Sequence, residues 1–368
     1  MQPGGERTQT GRYIEELSMP SDLTATLARI RAVDPEWHER ARVRQLDLTK
    51  PPGSLGRLEE IANRMAAIQA TRTPLVASPR VIVFAADHGV CAEGVNPYPQ
   101  AVTAQMVGNF LRGGAAINAL ASAAGVELDI VDAGVANPIE ELPGLIRRPI
   151  APGTRNFCME PAMSREQAEA ATALGIELAE RAAAESCTLL GIGEMGIGNT
   201  TAASALTAGL TGLDAAGVVG RGTGADDACL NRKRSAVERA LALHGNRIAE
   251  PLDLLARLGG FEIGAMCGVC LGAAACGCAV VVDGFIASAA AALAVRFHRD
   301  VRDYLFPAHL STEPGHTALL ALIGHRPLLD LDMRLGEGTG AALAIPIVRA
   351  AVAAFTGMAT FASAGVSS

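Results

Sequence analysis

Between residues 80 and 284 the chain repeats one pattern: a short apolar run that stops on polar residues and glycine. The clearest is Arg80-Val81-Ile82-Val83-Phe84-Ala85-Ala86-Asp87-His88-Gly89, followed by Leu128-Asp129-Ile130-Val131-Asp132-Ala133-Gly134. A third starts at Cys187-Thr188-Leu189-Leu190, and a fourth covers 279–284 and ends Asp283-Gly284. Continuous apolar runs bounded by glycine suit strands buried on both faces, as in parallel sheets. Helix starts lie between them. Ser164 with Gln167 forms a capping box for a helix through Ala184, and Asp226 starts a helix carrying Asn231, Arg232, Lys233 and Arg234. Alternation of this kind across 80–320 predicts an α/β fold, a parallel sheet with helices on both faces. Before residue 80 the pattern is helical only. Ser21 caps a helix through Arg31, Pro35 starts a second, and after Lys50-Pro51-Pro52-Gly53 a third runs to about Ala70. Without strand partners, these helices form a small domain or an arm.

The third run is the one that points to chemistry. After Leu190 come Gly191, Gly193, Gly196 and Gly198, then Asn199, Thr200 and Thr201 and an alanine-rich helix. Strand, glycine turn and polar helix start bring backbone N–H groups up to a phosphate. Gly191-x-Gly193-x-x-Gly196 matches the dinucleotide fingerprint in letters but lacks the acid that should end the next strand. A nucleotide-hydrolysing P-loop needs lysine where Asn199 stands. What survives is a seat for one phosphate, of a mononucleotide or sugar phosphate. Lys233 either reaches that phosphate or is solvated helix surface.

An acid among phosphate-binding glycines needs another job, and Glu194 is one. Glu337, in Gly336-Glu337-Gly338, is a second carboxylate flanked by glycine. Each either carries catalysis or caps a helix start, where carboxylates are common. Asp87 and His88 end a parallel strand and so face the ligand crevice, or His88 is a structural cap. The stretch Asn96-Pro97-Tyr98-Pro99-Gln100 is irregular, and lines a flat apolar pocket or makes a surface turn.

Composition narrows the choices. Hydrophobic residues are 49% but aromatics only 4%, so the core is built from Ala, Leu, Val and Ile. A net charge of −7 without a basic block argues against nucleic acid as a partner. Residues 265–282 are uncharged, long enough to suggest a membrane span, yet rich in Gly, Ala and Cys. A buried helix leading into a buried strand accounts for them better. The first thirty residues hold no signal-peptide core, so the eight cysteines are expected to be reduced thiols in the cytoplasm. Cys267, Cys270, Cys276 and Cys278 are spaced too tightly for a zinc ribbon and read as buried thiols, with no metal.

Taken in order, LTKPPGSLGRLE, AADHGV with EGVNPYPQAVTAQM, GIGEMGIGNTTAASAL, GRGTGADD with NRKR, GGFEIGAM, VVDGF and MRLGEGTGAAL form a set. From about Leu48 to about Ala350 the chain resembles the nicotinate-nucleotide–dimethylbenzimidazole phosphoribosyltransferase family. One position departs: Ala101 stands where the family pattern has glutamate after Tyr-Pro-Gln. The resemblance implies a Rossmann-like domain over 76–330 and a small helical domain from 21–75 and 331–368; residues 1–20, rich in Gly, Pro, Thr and Glu, lie outside it and read as a flexible tail. It implies a homodimer, no cofactor, and transfer of ribose phosphate from nicotinate mononucleotide to a benzimidazole, giving α-ribazole phosphate for cobalamin. The family's base falls on Glu337 and its phosphate loop on Gly193, Gly196, Gly198, Asn199, Thr200 and Thr201; Lys233 is a further candidate to assist that loop.

The chemistry is consistent with that assignment. A benzimidazole nitrogen attacking C1′ must shed the proton on its other nitrogen, and a carboxylate can take it. The nicotinate leaving group already carries a positive ring nitrogen, so it departs without protonation or a metal. Glu194 is the candidate for stabilising the ribose as it gains oxocarbenium character. Tyr98, Gln100 and Met195 are expected to line the benzimidazole slot. Two other readings use the same turn: a non-catalytic mononucleotide sensor, and a dinucleotide oxidoreductase.

Overall fold

The computed structural model describes residues 22–367. The tail at 1–20 and the Ser21 cap lie outside it. The first helix, α1 (Leu23–Arg29), is capped instead by Asp22, which accepts the Thr24 N–H at 2.9 Å. α2 (Pro35–Asp47) and α3 (Arg57–Ile68) follow, the latter after a turn in which Gly56 has φ 54°.

Six strands build the sheet: β1 (Arg80–Ala86), β2 (Glu127–Gly134), β3 (Leu145–Arg147), β4 (Leu189–Met195), β5 (Ala279–Val282) and β6 (Leu305–Pro307). Their order is β3-β2-β1-β4-β5-β6 and every pairing is parallel. β1 is buried along its whole length, as a strand covered on both faces must be. β3 and β6 were not foreseen, because three residues are too few to show a period. The chain winds outward from β1 in one direction and from β4 in the other. A crevice therefore opens between the carboxyl ends of β1 and β4, where such sheets bind ligands.

The helices after β1 are α4 (Ala101–Leu111), α5 (Ala116–Ala124), α6 (Arg165–Ala184), α7 (Asn199–Thr211), α8 (Ala215–Val218) and α9 (Asp227–His244). Then come α10 (Pro251–Leu258), α11 (Phe261–Ala275), α12 (Phe285–Phe297), α13 (His316–Ile323), α14 (Thr339–Gly357) and α15 (Phe361–Ala364). The Ser164–Gln167 capping box at the start of α6 is as the sequence suggested. The uncharged 265–282 stretch resolves into α11, a tight turn and β5. α14 is long and apolar enough to cross a membrane, yet half of it is buried, packed on β4, β5, α3 and α5.

Helices cover both faces of the sheet, with α11 packed against β1, β2, β4 and β5 beneath α6. The α6–α11 seam is backbone against backbone. A Cβ on Gly175 would run into the Ala265 carbonyl, and one on Gly268 into the Thr172 carbonyl. At the other end of the chain, α14 meets α3, Thr49 N–H donates to the Ala359 carbonyl at 3.0 Å, and Arg44 stacks on Phe355.

Gly268→Ala is expected to lower folding stability by roughly 3 kcal/mol, because neither backbone can yield. Thermal or urea unfolding measures it; an unchanged midpoint would contradict so close a seam.

Candidate active site

The site forms where β4 ends. The sequence suggested a turn from Gly191 onward, but β4 keeps its ladder with β1 as far as Ala85 and Met195. Gly191 and Gly193 are therefore strand residues. Their bare Cα atoms face α14 and the arc before it: a Cβ on Gly193 would collide with the Gly338 backbone. Gly193 is thus a packing glycine, which corrects its assignment to the phosphate seat and removes the dinucleotide fingerprint as a turn. The turn itself is Gly196-Ile197-Gly198, with Gly198 at φ 97° directly before α7.

Other expected site residues sort by the face they occupy. Gly196, Asn199 and Thr200 line a cavity of about 340 Å³, and Tyr98 and Met195 line it too, with the apolar Met106, Phe285 and Ile286. Thr201 is fully buried and does not line the cavity, since α7 turns it inward. Gln100 also lies outside the lining; it precedes α4 and donates to the His88 carbonyl at 3.4 Å. Lys233 is not solvated surface. Its Nζ is buried, donating to Thr200 Oγ1 at 3.1 Å and the Gly220 carbonyl at 3.0 Å, and burial lowers its pKa. It props Thr200 from behind. His88 is also buried behind the crevice, its Nε2 2.7 Å from Glu262 Oε1, as the structural reading of that residue had it.

Both glycine-flanked glutamates reach the cavity. Glu194 is 6% exposed and accepts a hydrogen bond from Asn199 Nδ2 through Oε2. Glu337 has φ 63° between Gly336 at 89° and Gly338 at 81°, a run of left-handed residues that lays the arc against β4. Its N–H donates to the Glu194 carbonyl at 3.2 Å, and its Oε2 accepts the Ile117 N–H of α5 at 3.4 Å.

Sequence reasoning noted Asp283 only as a strand end. It lines the same cavity, as do His309, Ser311, Glu313 and Arg334. Asp283 carries a signal, an acid closing a parallel strand. The segment with His309 follows a strand too short to detect.

Burial dominates the electrostatics. It raises the Glu194 pKa to about 8, with the charges of Asp283 and Glu262 adding to it and the Asn199 bond opposing. Burial also raises Glu337, helped by Asp283 and opposed by the Ile117 N–H. Such a cavity can bind a phosphate at the α7 start, hold a flat apolar ring, and exchange a proton with either carboxyl group.

A phosphoribosyltransferase family model matches residues 30–366. A relative from Cupriavidus necator is 55% identical over 321 residues, covering 87% of this chain and 92% of its own. One from Thermus thermophilus is 53% identical, covering 91% and 99%. Both are named nicotinate-nucleotide–dimethylbenzimidazole phosphoribosyltransferase. The crystal structure of the enzyme of that name from Thermus thermophilus superposes with a TM-score of 0.85 at 51% identity, covering 91% of this chain and 99% of that one. A second, of CobT from the same organism, gives 0.87 at 52%, covering 90% and 99%.

A carboxyl group raised from 4.5 to about 8 makes the folded protein hold a proton that the unfolded chain has released. Through Glu194, stability therefore falls as pH rises across that window. Glu194→Gln removes the loss, so its melting temperature relative to the unsubstituted protein should climb between about pH 5 and about pH 8. A difference that stays flat would mean Glu194 ionises normally.

Proposed function

The chain belongs to the nicotinate-nucleotide–dimethylbenzimidazole phosphoribosyltransferase family, and we propose that its cavity moves ribose 5-phosphate from nicotinate mononucleotide to a ring nitrogen of 5,6-dimethylbenzimidazole. The products are nicotinate and α-ribazole 5′-phosphate, for the nucleotide loop of cobalamin. One observation carries the reading: two carboxyl groups with raised pKa, Glu194 and Glu337, line one cavity with the start of a phosphate-type helix.

In this reading the phosphate sits at Gly196, Gly198, Asn199 and Thr200, with Lys233 acting through Thr200. The azole lies against Tyr98 and Met195. Glu337 accepts the azole proton as the other nitrogen attacks C1′. Its raised pKa brings it nearer to the azole's, so the transfer is less uphill than to an ordinary carboxylate. The nicotinate ring of the donor is cationic, and its arrival beside Glu194 favours the ionised carboxylate. Glu194 then faces the developing charge on the ribose, and attack opposite the departing ring inverts the anomeric carbon.

We further propose a cytoplasmic homodimer. Eight free cysteines suit a reducing compartment. The exposed Val43, Leu46, Leu331 and Leu335 offer apolar surface for a second copy. The packing of α3 on α14 supports grouping 21–75 with 331–368 as a small domain beside 76–330.

Incubating the protein with nicotinate mononucleotide and dimethylbenzimidazole in metal-free buffer should release nicotinate, followed by chromatography. Absence of product would refute the reading. Glu337→Gln is expected to lower kcat by roughly 10²- to 10⁴-fold with little change in nucleotide affinity. Turnover near that of the unsubstituted protein would remove Glu337 as the base.

A further inference from the structure

Glu337 lies two residues before α14, near enough for a carboxylate to turn onto the free N–H groups of the helix start. It does not do so here. Asp283, just past the end of β5, holds that place: its Oδ2 accepts the Gly338 N–H at 3.3 Å and its Oδ1 the Ala341 N–H at 3.1 Å. The Asp283 side chain is 2% exposed, and His309 Nε2 lies 4.0 Å from Oδ1. Glu337 is sent the other way, to the Ile117 N–H of α5.

The left-handed arc 336–338 makes this hold necessary. Gly336 and Gly338 adopt such angles freely, but a glutamate does not, and it keeps φ 63° only while its neighbours are tied down. Asp283 ties the following residue, and the Glu194 carbonyl ties Glu337's own N–H.

We propose that Asp283 is a positioning residue for the transfer: by satisfying the start of α14, it keeps the Glu337 carboxylate off that helix and turned into the cavity. The proposal rests on Glu337 being the base. The charged or titratable groups that share the cavity with Glu337 are Glu194 from β4, Asp283 from the end of β5, His309 and Glu313 from the segment after β6, and Arg334 just before the arc; α5 presents its N–H. Neutralising Asp283 acts on Glu337 twice, because a like charge leaves and helix N–H groups become free to bind it. Both changes favour the ionised form.

The test is the pH dependence of kcat in the full chain, with nicotinate mononucleotide and dimethylbenzimidazole, for Asp283→Asn. The base works ionised, so the acid limb should move to lower pH by about one unit while the plateau falls roughly 10- to 100-fold. KM for the nucleotide should stay within about threefold, since no phosphate contact is touched. An acid limb that stays put or moves upward overturns the proposal whatever the plateau does, as does a plateau like that of the unsubstituted protein. Should the Asn variant not fold, Asp283→Ser keeps an acceptor for the helix start without the charge and is read by the same limb. Glu337→Gln separates the two ideas. Turnover retained in that variant sinks the base assignment, whereas its loss beside an unmoved limb in Asp283→Asn sinks only the positioning role.

Discussion

The site depends on one contact between backbones, Gly193 of β4 against Gly338 before α14. Any side chain at 193 would lift the arc 336–338 off the sheet, and Glu337 with it. The contact joins two parts of the chain that are distant in sequence, and it sets Glu194 and Glu337 on the same cavity. The Glu337 N–H bond to the Glu194 carbonyl fixes the arc at the next residue along. The glycines at 336 and 338 serve the same end. They let the chain reverse sharply enough to lie on the strand and then enter a helix.

Bringing the arc down has an electrostatic cost that becomes the working property of the site. Glu194, Glu337, Asp283 and, behind them, Glu262 are all nearly or fully buried. Carboxyl groups so placed cannot all ionise, and those with the fewest hydrogen bonds keep their protons longest. Asp283 accepts backbone N–H groups through both oxygens. Glu194 has one amide bond and Glu337 one long N–H contact. The division of labour follows from this inventory: Asp283 serves the backbone, and the two glutamates stay available to a ligand.

Much of the architecture was legible because it is written in long signals. Four apolar runs ending in polar residues and glycine became β1, β2, β4 and β5, and the capping box at Ser164 became the start of α6. The short β3 and β6 carry no period, so the segment holding His309 and Ser311 stayed dark. The misreadings at the site have separate causes. A glycine signals either a turn or a close approach of backbones, and one sequence cannot tell them apart. Gly193 proved to be the second kind and Gly198 the first. Thr200 and Thr201 are adjacent letters, but a helix separates neighbours by about 100°, so one lines the cavity and the other packs inward. For Lys233, in the polar run with Asn231 and Arg232, the sequence left a phosphate contact and a solvated surface both open; tertiary packing shows its ammonium buried against Gly220.

The carboxylates also explain how one cavity can take a ligand that is anionic at one end and cationic at the other. A phosphate brought among Glu194, Asp283 and Glu337 would be repelled, and repulsion in a low-dielectric site is strong. The groups on this cavity that could offset that charge are the N–H groups of the α7 start, Thr200 with the Lys233 ammonium behind it, and Arg334. A cationic ring nitrogen would be attracted by the same carboxylates. Such a field would favour a nucleotide whose base carries a positive nitrogen. As the C1′–N bond breaks, the ring nitrogen becomes neutral and the positive charge passes to the ribose, where Glu194 would face it.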